Sequence, residues 1–272
     1  MPRTPLAATT VREALESAVI ALTAAGCATP RLDAEVLLAH VLGVDRAALI
    51  LHPDRALTPA EARAFMDAAR RRRERQPVAY ITGVKGFRML ELAVDRRVLI
   101  PRPETEHLVE AALGLPAGTR VVDVGTGSGA IALALKSERP DLEVFATDVS
   151  ADALAVARAN AERLGLDVTF VEGDLLAGVE ADAVVANPPY VGEDETVMPE
   201  VARYEPPVAV FAAGEGLAVV RRLVTAPVGF MALEMAGHQG DAVEALLRAA
   251  GFTEVERVRD LAGIERVMVG RR

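Results

Sequence analysis

Four consecutive residues, Asn187-Pro188-Pro189-Tyr190, follow the short apolar run 182–186 and bring together an amide, two prolines and a phenol. An apolar run bounded by turn residues reads as a buried strand of a parallel sheet. In open α/β sheets, ligands bind outside the carboxyl ends of such strands. Proline has a fixed φ and no backbone N–H, so the pair makes a stiff loop whose carbonyls can accept hydrogen bonds. With an amide acceptor and an aromatic plane beside it, the set suits holding a planar NH2-bearing group, not ionising a strong nucleophile. The tetrapeptide also reads as an ordinary strand-ending turn, since Asn-Pro dipeptides mark turns.

A second motif narrows the chemistry. Val121-Val122-Asp123-Val124-Gly125-Thr126-Gly127-Ser128-Gly129 and the apolar residues 130–135 read as a strand, a glycine turn and a helix. Glycines permit positive φ and close approach of a ligand to the backbone. The helix N-terminus behind them offers free N–H groups and a positive dipole end. The next strand, 142–147, ends at Asp148, about 20 residues on, where an acidic residue binds a ribose diol. The pair of features reads as a nucleoside-cofactor site. Gly125, Gly127 and Ala130 also satisfy the loose G-x-G-x-x-G/A dinucleotide pattern. The G-x-G-x-G spacing after Val-Asp-Val, with Asn-Pro-Pro-Tyr on a later strand, instead resembles the class I S-adenosylmethionine-dependent methyltransferases. In that group the glycine loop faces the methionine and ribose parts of the cofactor.

The elements that must position these residues fall into two parts and a connector. Residues 1–76 read as helices only: Thr10-Val-Arg-Glu13 and Thr58-Pro-Ala-Glu61 are capping boxes, and Thr29-Pro30 supplies an N-cap and an N1 proline. The run Arg70-Arg71-Arg72-Arg73 suggests a nucleic-acid or ribosome contact. It reads more simply as cations that complement a helix C-terminus and keep a face solvated. Residues 77–100 read as a β-hairpin connector, with strands at 78–83, 87–94 and 98–100. Pro101-Arg-Pro-Glu-Thr-Glu106 opens a helix, with Thr105 and the two glutamates in its first turn; the segment reads as simple capping or as shaping the mouth of the cofactor pocket. From 101 to 272 strands and helices alternate, with a polar loop over 192–207, which predicts a parallel doubly wound sheet. Strands near 255–259 and 265–269 are joined too closely to be parallel and form an antiparallel hairpin. The expected class is therefore α/β, a Rossmann-like methyltransferase domain behind a small helical bundle and a hairpin connector.

Composition sets outer limits. The chain has 272 residues, 51% hydrophobic and 25% charged, with a net charge of −9. That describes a soluble protein with ample core, and the acidic balance argues against a broad nucleic-acid surface. The single cysteine, Cys27, excludes an internal disulfide, and four scattered histidines make a metal site improbable. Arg12, Glu13 and Glu16 interrupt the first apolar stretch, so no secretory signal is read there, and no segment is long enough to span a bilayer. A cytoplasmic location is expected, with no membrane partner and no direct nucleic-acid partner.

The chain is similar to the peptide chain release factor glutamine N5-methyltransferases (HemK/PrmC-like). The shared features are Gln76-Pro-Val-Ala-Tyr-Ile-Thr-Gly83, Val98-Leu-Ile-Pro-Arg-Pro-Glu-Thr-Glu106, the glycine loop, Asn187-Pro-Pro-Tyr-Val191 and Tyr204-Glu-Pro206. They run through essentially the whole chain. The resemblance implies transfer of a methyl group from S-adenosylmethionine, giving S-adenosylhomocysteine, to the glutamine amide nitrogen in the Gly-Gly-Gln loop of a release factor. It implies no metal. It places Gly125, Thr126, Gly127, Ser128, Gly129, Asp148, Asp174, Leu175 and Asn187 in the cofactor site, although Asp174 and Leu175 also read as an ordinary strand end. The substrate site is Asn187, Pro188, Pro189 and Tyr190, with Asn187, Pro188 and Tyr190 catalytic. The helical domain would help recognise the release factor.

An amide nitrogen is a poor nucleophile, and no Cys, His or Ser triad is visible to activate it. The Asn187 side-chain oxygen and the Pro188 carbonyl can each accept one substrate N–H, which aims the nitrogen lone pair at the methyl group. Tyr190 would border the planar amide. One departure stands at Ala212-Ala213-Gly214-Glu215-Gly216-Leu217, where the family reads Gly-Gly-x-Asp-Gly-Leu, and it is expected to alter loop geometry rather than activity. Other readings are N-methylation of a nucleobase exocyclic amine in DNA or ribosomal RNA, glutamine methylation of a ribosomal protein, and a non-catalytic cofactor-binding adaptor.

Overall fold

Local capping signals set the first elements of the chain, whose computed structural model describes residues 9–272; residues 1–8 of the expected helical segment lie outside the described residues. Helix α1 (Val11–Ala24) opens on a capping box in which Thr10 Oγ1 accepts from the Glu13 N–H at 3.3 Å and the Glu13 carboxylate accepts from the Thr10 N–H at 2.8 Å. Helix α2 (Pro30–Leu42) starts on its proline and stops at Gly43, whose φ of 64° only glycine adopts freely. Helix α3 (Arg46–Leu51) and α4 (Pro59–Arg73), the latter with the second capping box, complete a core around Leu15, Leu22, Leu37, Leu38 and Phe65.

Residues 78–83 are not a strand. They form helix α5 (Val78–Thr82), closed by Gly83 at a φ of 78°. Strand propensity at Val78, Tyr80 and Ile81 is a weak prior, and here Val78 and Ile81 pack into the bundle core. The helical unit accordingly runs on to Gly83.

The second unit begins with the hairpin β1 (Val84–Phe87) and β2 (Leu90–Ala93). The expected strand at 98–100 is absent: the Ile100 N–H donates to the Glu205 carboxylate at 3.4 Å instead of to a neighbouring strand. A 3-10 turn, Pro103–Thr105, leads into α6 (Glu106–Ala112). There follow β3 (Arg120–Val124), α7 (Ala130–Glu138), β4 (Glu143–Asp148), α8 (Ala151–Leu164), β5 (Thr169–Glu172), β6 (Ala183–Ala186) and the two-residue β7 (Val191–Gly192). Within the expected polar loop lies α9 (Pro199–Tyr204); then come β8 (Phe211–Ala212), α10 (Ala218–Leu223), β9 (Phe230–Glu234), α11 (Gly240–Ala249), β10 (Glu254–Arg259) and β11 (Glu265–Arg271).

The seven-stranded sheet has the order β10-β11-β9-β6-β3-β4-β5. Its five strands from β9 to β5 are parallel, and β11 and β10 close it antiparallel. Alternate side chains of a strand point to opposite faces, and both faces here are apolar. Val121, Ala183, Val185 and Ala232 join one cluster with α6 and α7, while Val122, Val184, Ala186 and Leu233 join another with α10 and α11. This explains why the central strands read as continuous apolar runs. Among the described residues, no helix is long and apolar enough to cross a membrane.

Helix α9 belongs with the helical unit. Glu200 bonds Arg72 Nη1 at 2.9 Å and Arg75 Nη2 at 2.7 Å, and the Tyr204 hydroxyl donates to the Glu74 carbonyl at 2.9 Å. Arg72 also donates from Nε to Asp33 at 2.7 Å. The arginine run is therefore not a solvated face throughout: Arg70 pairs at the surface with Asp67 and Glu74, but Arg72 is buried between two carboxylates. Removing one partner of a buried ion pair leaves an under-compensated charge, at about 3–5 kcal/mol. Because Glu200 still faces Arg72, Asp33→Ala is expected to cost about 3 kcal/mol in urea unfolding of the full chain. A loss under about 1 kcal/mol would mean that the buried cluster does not hold the unit together.

Candidate active site

The carboxyl ends of β3, β4 and β6 meet at a cavity of about 300 Å³, lined by Gly125, Gly127, Asp148, Asp174, Leu175, Asn187, Pro188 and Pro189 among others. The turn after β3 is tied to β4, with the N–H groups of Gly125 and Thr126 both donating to the Thr147 carbonyl at 2.9 and 3.0 Å. Gly125 and Gly127 have φ values of 74° and 56°, and a Cβ on either would meet no atom within 4 Å, so the turn borders open space. Gly129 serves packing instead. A Cβ there would come within 2.9 Å of Leu133 and 3.3 Å of Ala157, so the third glycine permits close approach to α7 and α8.

Asp148 is held from two sides. The Gly127 N–H donates to its Oδ2 at 2.9 Å and the Ser150 N–H to its Oδ1 at 2.9 Å, leaving lone pairs on both oxygens for a ligand. Leu175 adopts a φ of 50°, a conformation that side chains rarely take, and its carbonyl accepts the Thr147 hydroxyl at 2.5 Å. Asp174 pairs with Arg222, whose guanidinium holds its carboxyl below the usual range.

Three of the expected cofactor residues do not line the cavity. Only glycines of the turn border the cavity, and Thr126 and Ser128 are buried. The Thr126 hydroxyl donates to Asp123 Oδ2 at 2.6 Å, the Ser128 carbonyl accepts from Asn160 at 3.0 Å, and Gly129 is packed as above. Asp123 is fully buried. Its Oδ2 also accepts the Ala132 N–H at 3.1 Å, while its Oδ1 has no partner. Burial pushes this carboxyl up to about 7, against the pull of its two hydrogen bonds.

Asn187 leaves β6 with its amide nitrogen donating to Thr105 Oγ1 at 3.1 Å. The Thr105 hydroxyl donates to Glu234 Oε2 at 2.7 Å, and the Tyr190 hydroxyl donates to Glu234 Oε1 at 3.2 Å. Glu234 ends β9 and is buried, which pushes its carboxyl up to about 7. Burial and the adjacent Glu234 push the Tyr190 phenol well above its ordinary value, so Tyr190 is a donor and not a base. Tyr190 lies beside the cavity, not on its lining. Thr105 does not cap α6, because its hydroxyl is committed to Glu234. Reading the sequence missed Glu234; the available signal was a carboxylate closing the otherwise apolar strand 230–234.

The segment that departs from the family pattern packs on this group. Gly214, Glu215 and Gly216 all have positive φ, and a Cβ at Gly216 would lie 2.0 Å from the Tyr190 carbonyl. Gln239 clamps the approach by donating to the Tyr190 and Glu215 carbonyls at 2.9 Å each. Among the described residues, no group of three or more His, Cys, Asp or Glu side chains could hold a metal ion.

The PrmC N-terminal domain family matches residues 13–83 and the methyltransferase small domain family residues 104–204. A release factor glutamine methyltransferase of Koribacter versatilis is 43% identical, covering 97% of this chain and 99% of its own length. This chain belongs to the release factor glutamine methyltransferase family. A family member of the same name from Escherichia coli K12 is 40% identical over 89% of this chain and 92% of its own length. Release factor glutamine methyltransferases depend on S-adenosylmethionine, and the fold agrees. A methyltransferase from Pyrococcus furiosus, 19% identical, covers 67% of this chain and 88% of its own with a TM-score of 0.51. The hMettl16 catalytic domain, 18% identical, covers 66% and 74% at 0.54. Both likenesses concern the fold alone.

The Asp123 carboxyl has a folded-state value near 7 against 3.8 for the ordinary group. Folding therefore favours the protonated form, and this contribution is greatest at low pH and falls as pH rises from about 4 to about 7. Asp123→Asn is expected to flatten the decline in unfolding free energy between pH 5 and pH 8, measured by urea titration. An unchanged slope would show that Asp123 does not titrate in that window.

Proposed function

We propose that this enzyme transfers a methyl group from S-adenosylmethionine to the side-chain amide nitrogen of the glutamine in the Gly-Gly-Gln loop of peptide chain release factors. The observation that carries this reading is the tethering of the Asn187 amide nitrogen to Thr105, which turns its oxygen away as a free acceptor beside the cavity. The named activity of the relatives supports the same substrate.

The residues fit the cofactor. Asp148, with open lone pairs, suits the ribose hydroxyls, and the glycine turn, with no Cβ at Gly125 or Gly127, admits the sugar and methionine parts. Leu175 and Asp174 border the same space, with the Asp174 carboxylate already occupied by Arg222. When bound, S-adenosylmethionine supplies an electrophilic methyl group on a sulfonium. This chain's own residues then have to orient the amide and stabilise the charge it gains. Asn187 Oδ1 and the Pro188 carbonyl accept the two substrate N–H bonds, which turns the nitrogen lone pair outward. Both acceptors bond more strongly as the nitrogen becomes positive, so they favour the transition state over the ground state. Tyr190, held as a donor to Glu234 beside the cavity, would border the planar amide. No metal is needed; the nitrogen would form its bond to the methyl carbon as the carbon–sulfur bond breaks and then release one N–H proton to solvent, leaving S-adenosylhomocysteine and the N-methylated amide.

The helical unit would contribute recognition of the release factor, in a cytoplasmic reaction without membrane or direct nucleic-acid partners. Methylation of a nucleobase amine is disfavoured by the net charge of −9.

The test is methyl transfer from labelled S-adenosylmethionine to purified release factor, with mass spectrometry locating the methyl group. Label on the Gly-Gly-Gln glutamine is expected; label only on ribosomal protein or nucleic acid would overturn the substrate. Asn187→Ala should lower the rate by about two orders of magnitude or more while leaving cofactor affinity nearly unchanged, and undiminished turnover would refute the amide-orienting role. Asp148→Ala should weaken cofactor binding at least tenfold in calorimetry, because charge-assisted hydrogen bonds contribute about 1.5–3 kcal/mol each. Full affinity in that variant would remove Asp148 from the ribose site.

A further inference from the structure

We infer that Thr105 and Glu234 act as a polarity relay: they fix which end of the Asn187 amide faces the substrate, and are positioning residues for the reaction. This rests on the reading of Asn187 given above, and it deepens that reading by naming what enforces it. An Asn side chain has a donor end and an acceptor end of almost identical shape, so packing alone cannot choose between them. The choice here follows from proton counting along the chain of hydrogen bonds. An ionised carboxylate only accepts, so the Thr105 hydroxyl must give Glu234 its single proton across 2.7 Å. Thr105 Oγ1 then has only lone pairs left for its next neighbour, which must approach with a donor. That neighbour is Asn187, 3.1 Å away, and it can comply only by turning its NH2 group to Thr105. Its oxygen is thereby committed to the cavity side, where a substrate NH2 group needs an acceptor.

The relay runs the other way when Glu234 carries a proton. The carboxylic O–H can donate to Thr105 Oγ1, and Thr105 can then give its own proton to the Asn187 oxygen. The Asn187 NH2 would face the cavity, donor against donor, and the substrate amide would be repelled. The groups around Glu234 set where this reversal occurs. Tyr190 from the loop after β6 donates to the second oxygen and Arg266 from β11, itself paired with Asp260 at 3.0 Å, adds positive charge, both favouring the ionised form, while Glu104 from the 3-10 turn adds like charge that opposes it. Burial outweighs the rest, and the carboxyl titrates at about 7. The active polarity therefore belongs to the pH range above about 7, and the rate should fall as pH drops through it.

The full-length enzyme tests this with Thr105→Val, which keeps the branched shape without the hydroxyl, Thr105→Ser, which restores it, and Glu234→Gln. Expected in Thr105→Val is a fall in kcat of about tenfold or more with cofactor affinity nearly unchanged, and substantial recovery in Thr105→Ser. Glu234→Gln cannot titrate, so the acid limb near pH 7 should disappear whichever of the two hydroxyls its NH2 group faces. A packing role alone would not remove that limb. The second readout needs no turnover: the Asn187 side-chain NH2 signals in 15N NMR should be protected from exchange in the wild type and lose that protection in Thr105→Val. Wild-type kcat in Thr105→Val, or Asn187 signals indifferent to that substitution, overturns the relay. If the release factor proves not to be the substrate, the substrate reading falls, and the Asn187 signals still decide the relay on their own.

Discussion

A carboxylate taken out of water into an apolar wall has to be satisfied by donors from its surroundings, and Glu234 meets that demand with hydroxyls from two separate segments. Thr105 comes from the turn before α6 and Tyr190 from the loop after β6, so one charge at the end of β9 gathers the pieces of the carboxyl edge. The parallel pairing of β6 with β9, Ala186 against Leu233, brings the loop after β6 beside Glu234. The donors that Glu234 requires then fix the side chains there, and the orientation of Asn187 follows. Such a group is a poor source of stability, because its desolvation offsets what its hydrogen bonds return. Its value lies in specifying one arrangement among several of similar packing.

The glycine turn solves a related problem with backbone in place of charge. Residues that border the cavity lack side chains, and those that carry side chains, Thr126 and Ser128, turn them into the core. Asp123 beneath them receives the Thr126 hydroxyl and the Ala132 N–H from the first turn of α7. The turn is thus anchored from below while its upper face stays smooth. The left-handed Leu175 opposite continues the pattern, placing conformational strain where the wall needs a particular shape.

Much of this was legible in the residues. The apolar run at 183–186 is buried on both faces, as an inner parallel strand is; the short final connection at 260–264 forced the antiparallel closure. Asn187, Asp148 and Gly125 stood out because each ends a strand in a doubly wound order. What escaped was set by tertiary contact. Residues 78–83 have strand-forming side chains and are helical because the bundle needs Val78 and Ile81 on one face. Thr105 looks like a cap at its place in the chain and is claimed by a carboxylate 129 positions away. Arg72 sits in a run of cations that reads as surface, yet its partners come from two distant helices. Position in sequence reports local preference, and none of these three is local.

The clamp of Glu200 by Arg72 and Arg75 also bears on how the polypeptide reaches its final form. Glu200 lies 128 positions beyond Arg72, so a chain emerging from the ribosome exposes the first helices long before their last partner exists. The N-terminal bundle cannot finish as an independent early product of translation. It must wait, with an arginine only half compensated by Asp33, while most of the central sheet is still being made. Maturation of the two units is therefore interleaved in time, and the helical one, first to be synthesised, is completed by a segment whose place in the sequence lies within the other.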